Sequence, residues 1–166
     1  MVSAASLLYL FPDLTFGPGG QCVISDDGAG PYIAQWARPE PQPTEAEIAA
    51  AYQPAAAALV AEKIKAERDR RKHAGTPVGT YVFHSDPDSR IQQLGLVMMG
   101  ASMPGGIQWK TLGTGYVTMT PTLAGQIFQA TAARDVALFA VADAHIAAAA
   151  AADDPLAYDF TTGWPA

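Results

Sequence analysis

Between Pro121 and Pro155 the chain runs without a proline and is dominated by alanine, the residue that enters a helix at least cost. Thr120 followed by Pro121 is a helix-start pattern, because proline at the first helical position loses no backbone hydrogen bond. Asp153-Asp154-Pro155 then stops it. One long helix from Thr120-Pro121 to about Ala152 is therefore predicted. Leu123, Ile127, Ala130, Ala137, Val141 and Ala144 fall near one stripe, which Phe128, Phe139 and Ile146 widen. So thin and smooth a surface suits close helix packing, and the rest of the chain has to supply the elements that cover it.

Upstream, Arg38-Pro39-Glu40-Pro41-Gln42-Pro43 reads as a stiff extended linker, since each proline disfavours helix in the residue before it. It sets off residues 1–38 as a small β module. Leu7 to Leu10, Gln21 to Ser25 and Tyr32 to Trp36 are short β-rich runs, separated by Gly17-Pro18-Gly19-Gly20 and by Asp26-Asp27-Gly28-Ala29-Gly30-Pro31. That turn chemistry suits a three-stranded meander. Residues 39–76 hold the linker and a basic helix. Thr44 and Glu47 have capping-box spacing, Pro54 is expected to interrupt the helix after two or three turns, and a second stretch from Ala55 to His73 stops at Gly75.

Residues 77–166 read as an α+β domain. Val78 to His84 is a strand by its β-branched and aromatic content. Asp86-Pro87 starts a helix with Ile91, Leu94 and Met98 on one face. Ile107 to Leu112 and Tyr116 to Met119 form a hairpin turning at Gly113-Thr114-Gly115. After the long helix, the tail from Leu156 to Pro165 carries Tyr158, Phe160 and Trp164, too much aromatic surface to leave in water; it is expected to fold back onto its own domain or onto a partner. The expected fold class is α+β: an N-terminal small β meander, a connecting helix, and a C-terminal three-stranded sheet with two packed helices.

A single cysteine, Cys22, rules out an intramolecular disulfide and a cysteine-based zinc site. Apolar runs such as Ile146 to Ala152 fall far short of the roughly 20 residues a membrane-spanning helix needs. No Lys or Arg precedes Leu7, and Asp13 breaks the apolar run that follows, so a signal-peptide layout is not expected. A formal net charge of -6 argues against a nucleic-acid binder. Lys63, Lys65, Arg68, Arg70, Arg71 and Lys72 nevertheless place six of the ten basic residues in ten positions. Glu67 with Arg71, and Lys63 with Glu67, can lace such a face at one-turn spacing; a docking patch for an acidic protein surface is the alternative.

Reactive chemistry is sparse. His73, His84 and His145 stand in no metal-ligand spacing. His84-Ser85-Asp86-Pro87-Asp88-Ser89 gathers an imidazole, hydroxyls and carboxylates at a strand-to-helix junction, yet Asp86 as N-cap and Asp88 in the first turn explain it as capping. Asp26-Asp27-Gly28 lacks the later ligands of a calcium loop, and Gly17-Pro18-Gly19-Gly20 lacks the Lys-Ser/Thr of a phosphate loop. No catalytic residue, cofactor or metal is expected. A surface-polymer hydrolase would need paired acids, for which Asp86 with Asp159 is the one pairing on offer. Trp109 beside Lys110 on a strand points to the opposite face, inward as core or outward as an anchor. The candidate partner-binding residues are Arg68, Arg70, Arg71, Lys72, Trp109 and Trp164.

The stretch from Ile64 to Pro165 resembles a domain of unknown function found in proteins encoded beside tail-fibre genes of tailed phages. The similar pieces are Glu67-Arg68-Asp69-Arg70-Arg71, Phe83-His84-Ser85-Asp86 with Ser89-Arg90-Ile91, Gln108-Trp109-Lys110-Thr111, Gly115-Tyr116-Val117-Thr118-Met119-Thr120, and the ending in Tyr158-Asp159 and Gly163-Trp164-Pro165. The first part, with Phe16-Gly17-Pro18-Gly19, Asp27-Gly28-Ala29-Gly30-Pro31-Tyr32-Ile33 and Pro43-Thr44-Glu45, is similar to leaders of such proteins. The resemblance implies a non-enzymatic structural or adaptor protein of a phage tail or tail-fibre apparatus. Its partner would be a tail-fibre or baseplate protein, with a homo-oligomer also open, and without nucleic acid or membrane. It would sit in the virion tail, or in the host cytoplasm during assembly if it is instead a tail-fibre assembly chaperone.

Overall fold

A computed structural model describes residues 2–113 and 115–165; Thr114, in the turn expected at Gly113-Thr114-Gly115, lies outside the described residues. The elements in chain order are α1 (Ala4–Leu10), β1 (Cys22–Asp26), β2 (Pro31–Trp36), α2 (Glu45–Lys72), β3 (Thr76–Val78), β4 (Tyr81–Phe83), α3 (Pro87–Met99), β5 (Gln108–Thr111), β6 (Gly115–Thr118) and α4 (Pro121–Ala151). Two compact units form, one from Met1–Lys63 with Ile146–Asp159, the other from Ile64–His145 with Phe160–Ala166. Both α2 and α4 therefore contribute to each unit.

In the first unit, the expected three-stranded meander is a two-stranded hairpin of β1 and β2 preceded by a helix. Leu7 to Leu10 is not a strand. Ser3 caps α1 by accepting the Ser6 amide at 3.0 Å, and Leu7 is fully buried against Leu14, Cys22 and Ile48. A short apolar run fits strand and helix equally until a cap decides. Asp26 closes the hairpin turn by accepting the Gly28 and Gly30 amides at 2.8 and 3.2 Å. Phe11 meets Trp36 edge-on at 5.1 Å between ring centres, with the Arg38 guanidinium over Phe11.

The capping box at the start of α2 is complete: Thr44 Oγ1 accepts the Glu47 amide at 3.2 Å, and Glu47 accepts the Thr44 amide at 2.7 Å. Pro54 does not interrupt this helix, which continues unbroken to Lys72. Ile48, Ala51, Ala55, Ala56 and Val60 form one buried stripe on both sides of the proline. That continuous burial outweighs the roughly 3 kcal/mol that an interior proline costs. Gln53, next to it, donates to the Ala152 carbonyl at 2.7 Å.

Among the described residues, the second unit forms two two-stranded sheets in place of the expected three-stranded one. Val78 to His84 folds instead as two short strands, β3 and β4, turning at Gly79, and β5 with β6 forms a separate hairpin. One hydrogen bond, from the Leu112 amide to the Val82 carbonyl at 2.7 Å, links the two hairpins. Phe83, Leu96, Met119, Ala124 and Ile127 make the core, with Trp109 and Val117 packed against it. One helical face is rotated from expectation, and the stripe expected on another is left uncovered. On α4 the buried positions are Ala124, Ile127, Thr131, Leu138, Ala142 and Ala149, whereas Ala144 is exposed. On α3, Gln93 and Leu96 are buried while Ile91, Leu94 and Met98 face solvent.

Candidate docking surfaces

The end of α2 is finished by side chains from distant segments. Helices leave their last carbonyls without intrahelical donors. Here Ser85 Oγ donates to the Lys72 carbonyl at 2.6 Å and accepts the Gly75 amide at 2.9 Å. Arg90 adds a second donor to the same carbonyl at 3.0 Å, bonds the Ser85 carbonyl at 2.6 Å, and forks onto Asp135 at 2.6 and 3.1 Å. Gly75 has φ of +108°, and a Cβ there would lie 2.7 Å from Val82, so both backbone and space demand glycine. Buried Gln93 donates to the His84 carbonyl at 2.7 Å. Together with the Asp86 cap, which accepts the Ser89 amide at 3.0 Å, these bonds set which face of α3 turns inward.

Of the two pairs that spacing predicted in the basic stretch, Glu67 with Arg71 forms, and Arg70 rather than Lys63 is the other partner seen on Glu67. Arg70 and Arg71 both bond Glu67, at 2.7 and 2.6 Å. The Arg70 hydrogen bond, followed by that of Arg71, holds the Glu67 carboxyl down at about 2. Arg68 bonds Asp69 at 2.9 Å and lies 4.4 Å from the centre of the Phe139 ring, over which Lys72 also stands at 5.1 Å. Arg71 lies over Trp164 at 5.2 Å. Trp164 in turn stacks near His145 at 5.3 Å and donates its indole N–H to the Phe160 carbonyl at 2.7 Å. The part of the tail from Phe160 to Pro165 thus folds back within the second unit, and all six candidate partner-binding residues make contacts there.

His84, Ser89, Trp109, Lys110 and Tyr116 border a shallow cleft of about 330 Å³. Three of the carboxylates singled out earlier are engaged in turns and caps: Asp86 with Ser89, Asp26 with Gly28 and Gly30, and Asp27 with Ala29. Among the described residues no group of three or more His, Cys, Asp or Glu could hold a metal ion, and no helix is long and apolar enough to cross a membrane.

Two apolar grooves were not foreseen. In the second unit, Ile91, Leu94, Phe128 and Ala132 line a groove of about 280 Å³, edged by the Arg90–Asp135 pair. Its neighbourhood is open: Ile91 is 69% exposed, Leu94 43%, Met98 80%, Phe128 45% and Val136 71%. In the first unit, Ala5, Leu8, Tyr9, Ala55, Ala58 and Leu59 line one of about 220 Å³, with Leu8, Tyr9 and Leu59 exposed. Contiguous apolar surface of this kind marks protein-binding sites more often than scattered exposed side chains do. Periodicity had identified the α3 stripe but could not say whether it was covered.

Comparison with known families gives two matches that overlap inside α2. A family model described as a domain of unknown function, DUF4376, matches residues 46–162, and one described as XkdW protein matches residues 3–59. The first takes in most of the stretch whose motifs resembled such a domain, begins earlier, inside α2, and stops short of Gly163-Trp164-Pro165. The second family is phage-associated, and the residues that match it lie within the first 63. No curated protein and no solved structure matches the chain.

Proposed function

The chain belongs to the DUF4376 family, and from that premise we propose that it is a structural or adaptor protein of a phage tail or tail-fibre apparatus, acting by protein–protein binding and without catalysis. The observation that carries this reading is the apolar groove between α1 and α2. Its lining residues Ala5, Leu8, Tyr9, Ala55, Ala58 and Leu59 all fall inside residues 3–59, the part similar to a phage-associated family. Leucine and tyrosine left open on that surface give a tail partner desolvatable anchors, and the alanines let a partner backbone come close.

A tail-fibre assembly chaperone is the second reading, favoured by the same openness, because a binder that releases its client presents its apolar groove again. One experiment separates them. The tagged full chain is captured from cells in which the encoding phage is multiplying, and the proteins bound to it and those in the purified particle are identified by mass spectrometry. The adaptor reading expects a tail or fibre protein in the capture, lost in the Leu8→Glu, Leu59→Glu double variant, and expects the chain in the particle. Capture of the fibre with the chain missing from the particle selects the chaperone. Capture without any tail protein overturns both.

A further inference from the structure

We propose that the open face of α3 is a self-association surface, on which two copies of this chain pair antiparallel about a two-fold axis near Gly95. Ile91, Leu94 and Met98 are spaced by three and then four residues, the interval at which packed helices present their seam. They are the residues that the α3 cap and the Arg90 tether turn outward. Met99 on α3, and Phe128 and Val136 on α4, add further exposed apolar surface. At roughly 100 Å² apiece these six side chains supply on the order of 600 Å², close to the about 800 Å² each partner brings to a standard interface.

Gly95 lies on this face, one turn after Ile91. Nothing lies within 4 Å of where its Cβ would be, so no contact inside the chain accounts for a glycine that weakens the middle of a helix. Between two copies it has a use, because a missing side chain lets two backbones approach. Antiparallel pairing there sets Ile91 of one copy opposite Met98 or Met99 of the other, and brings each helix N-terminus beside the other's C-terminus.

Charge favours a second copy as the occupant. The net charge of -6 opposes general self-association, but this face carries little of it. Arg90 is bonded to Asp135, and Asp88, at the end of the face, comes opposite Ala101 and Ser102 of the other copy rather than an acid. Pairing the face with itself therefore sets no like charges against each other, the usual obstacle to an isologous contact.

Light scattering of the full chain over a dilution series tests this. A mass of twice 17.4 kDa is expected at the concentrated end, falling toward 17.4 kDa on dilution. The Ile91→Lys, Met98→Lys double variant is expected to remain at 17.4 kDa throughout, with unchanged circular dichroism and melting, since both side chains are already exposed in the single chain. A native chain that stays monomeric, or a double variant that keeps the doubled mass, overturns the proposal. A second variant tests the register without removing apolar surface. Gly95→Leu fills the space through which the two backbones approach and should hold the chain at 17.4 kDa throughout. A folded Gly95→Leu chain that keeps the doubled mass also overturns the proposal.

Discussion

The two units hold themselves together by different kinds of polar contact. In the first, Asp26 closes its own turn, Thr44 and Glu47 cap each other, and Arg38 bonds Glu40 two residues away, so most bonds are local and exposed, the main exceptions being Tyr52 with Asp154 and Gln53 with Ala152. In the second, Arg90 reaches Asp135 across 45 residues of sequence, and Thr131 meets Thr76 across 55, at least partly out of water. Local bonds shape the chain wherever it goes. Bonds between distant segments select one arrangement, because a displaced helix leaves a carbonyl or guanidinium without its partner.

The largest test of that contrast is a core truncation. Phe83→Ala, at a fully buried site, is expected to cost about 3–5 kcal/mol. Hydrogen exchange should show lost protection in β3 to β6 with protection of the Cys22–Trp36 hairpin retained; loss in both places would break the comparison. Next comes Arg90→Ala, which removes charge-assisted bonds to Asp135, Ser85 and Lys72 and is expected to cost about 2–3 kcal/mol in urea unfolding. Arg90→Lys should recover little of this, because an ammonium cannot fork onto Asp135 and still reach the carbonyls. In the first unit the matching substitution is weaker: Thr44→Ala, which removes the α2 cap, should cost about 1 kcal/mol.

The smallest effect is a dependence on acid. Glu67 is held down at about 2 by Arg70 and then Arg71, below its value in an unfolded chain. Its contribution is therefore complete above the ordinary glutamate value of roughly 4.3, and is lost as the pH falls from there toward about 2. Glu67→Gln should flatten that part of the stability curve by lowering stability above it, and only slightly, since Arg70 in the pair is largely exposed. An unaltered acid profile would mean that the lacing of the basic stretch is decorative.

Helix starts were legible because caps are short-range chemistry. Thr44 with Glu47, Asp86 with Pro87 and Thr120 with Pro121 all do what their spacing indicates. The β5–β6 hairpin and the pairing of Glu67 with Arg71 were readable for the same reason. What failed depended on distant partners, the Ser3 cap of α1 apart. Leu7 to Leu10 is helical because of Ser3 and a core built from Leu14, Cys22 and Ile48; Pro54 stays within α2 because burial continues on either side; and the second-unit strands pair as two hairpins. The α3 stripe was recognised, but its direction is decided by Arg90 and Gln93 bonding Lys72 and His84 carbonyls. Nothing in the spacing of Ile91, Leu94 and Met98 reports that, so the apolar grooves could be seen only once the fold was known.

One consequence of the uninterrupted α2 concerns how such proteins can exchange parts. The two family matches overlap at residues 46–59, wholly inside this helix. With 3.6 residues per turn, a splice there that gains or drops one residue rotates Ala55 and Val60 by about 100° away from the side that Ile48 and Ala51 occupy. A recombinant joined at this segment keeps its apolar stripe only when the crossover preserves helical phase. A seven-residue slip is nearly silent and a two-residue slip is ruinous.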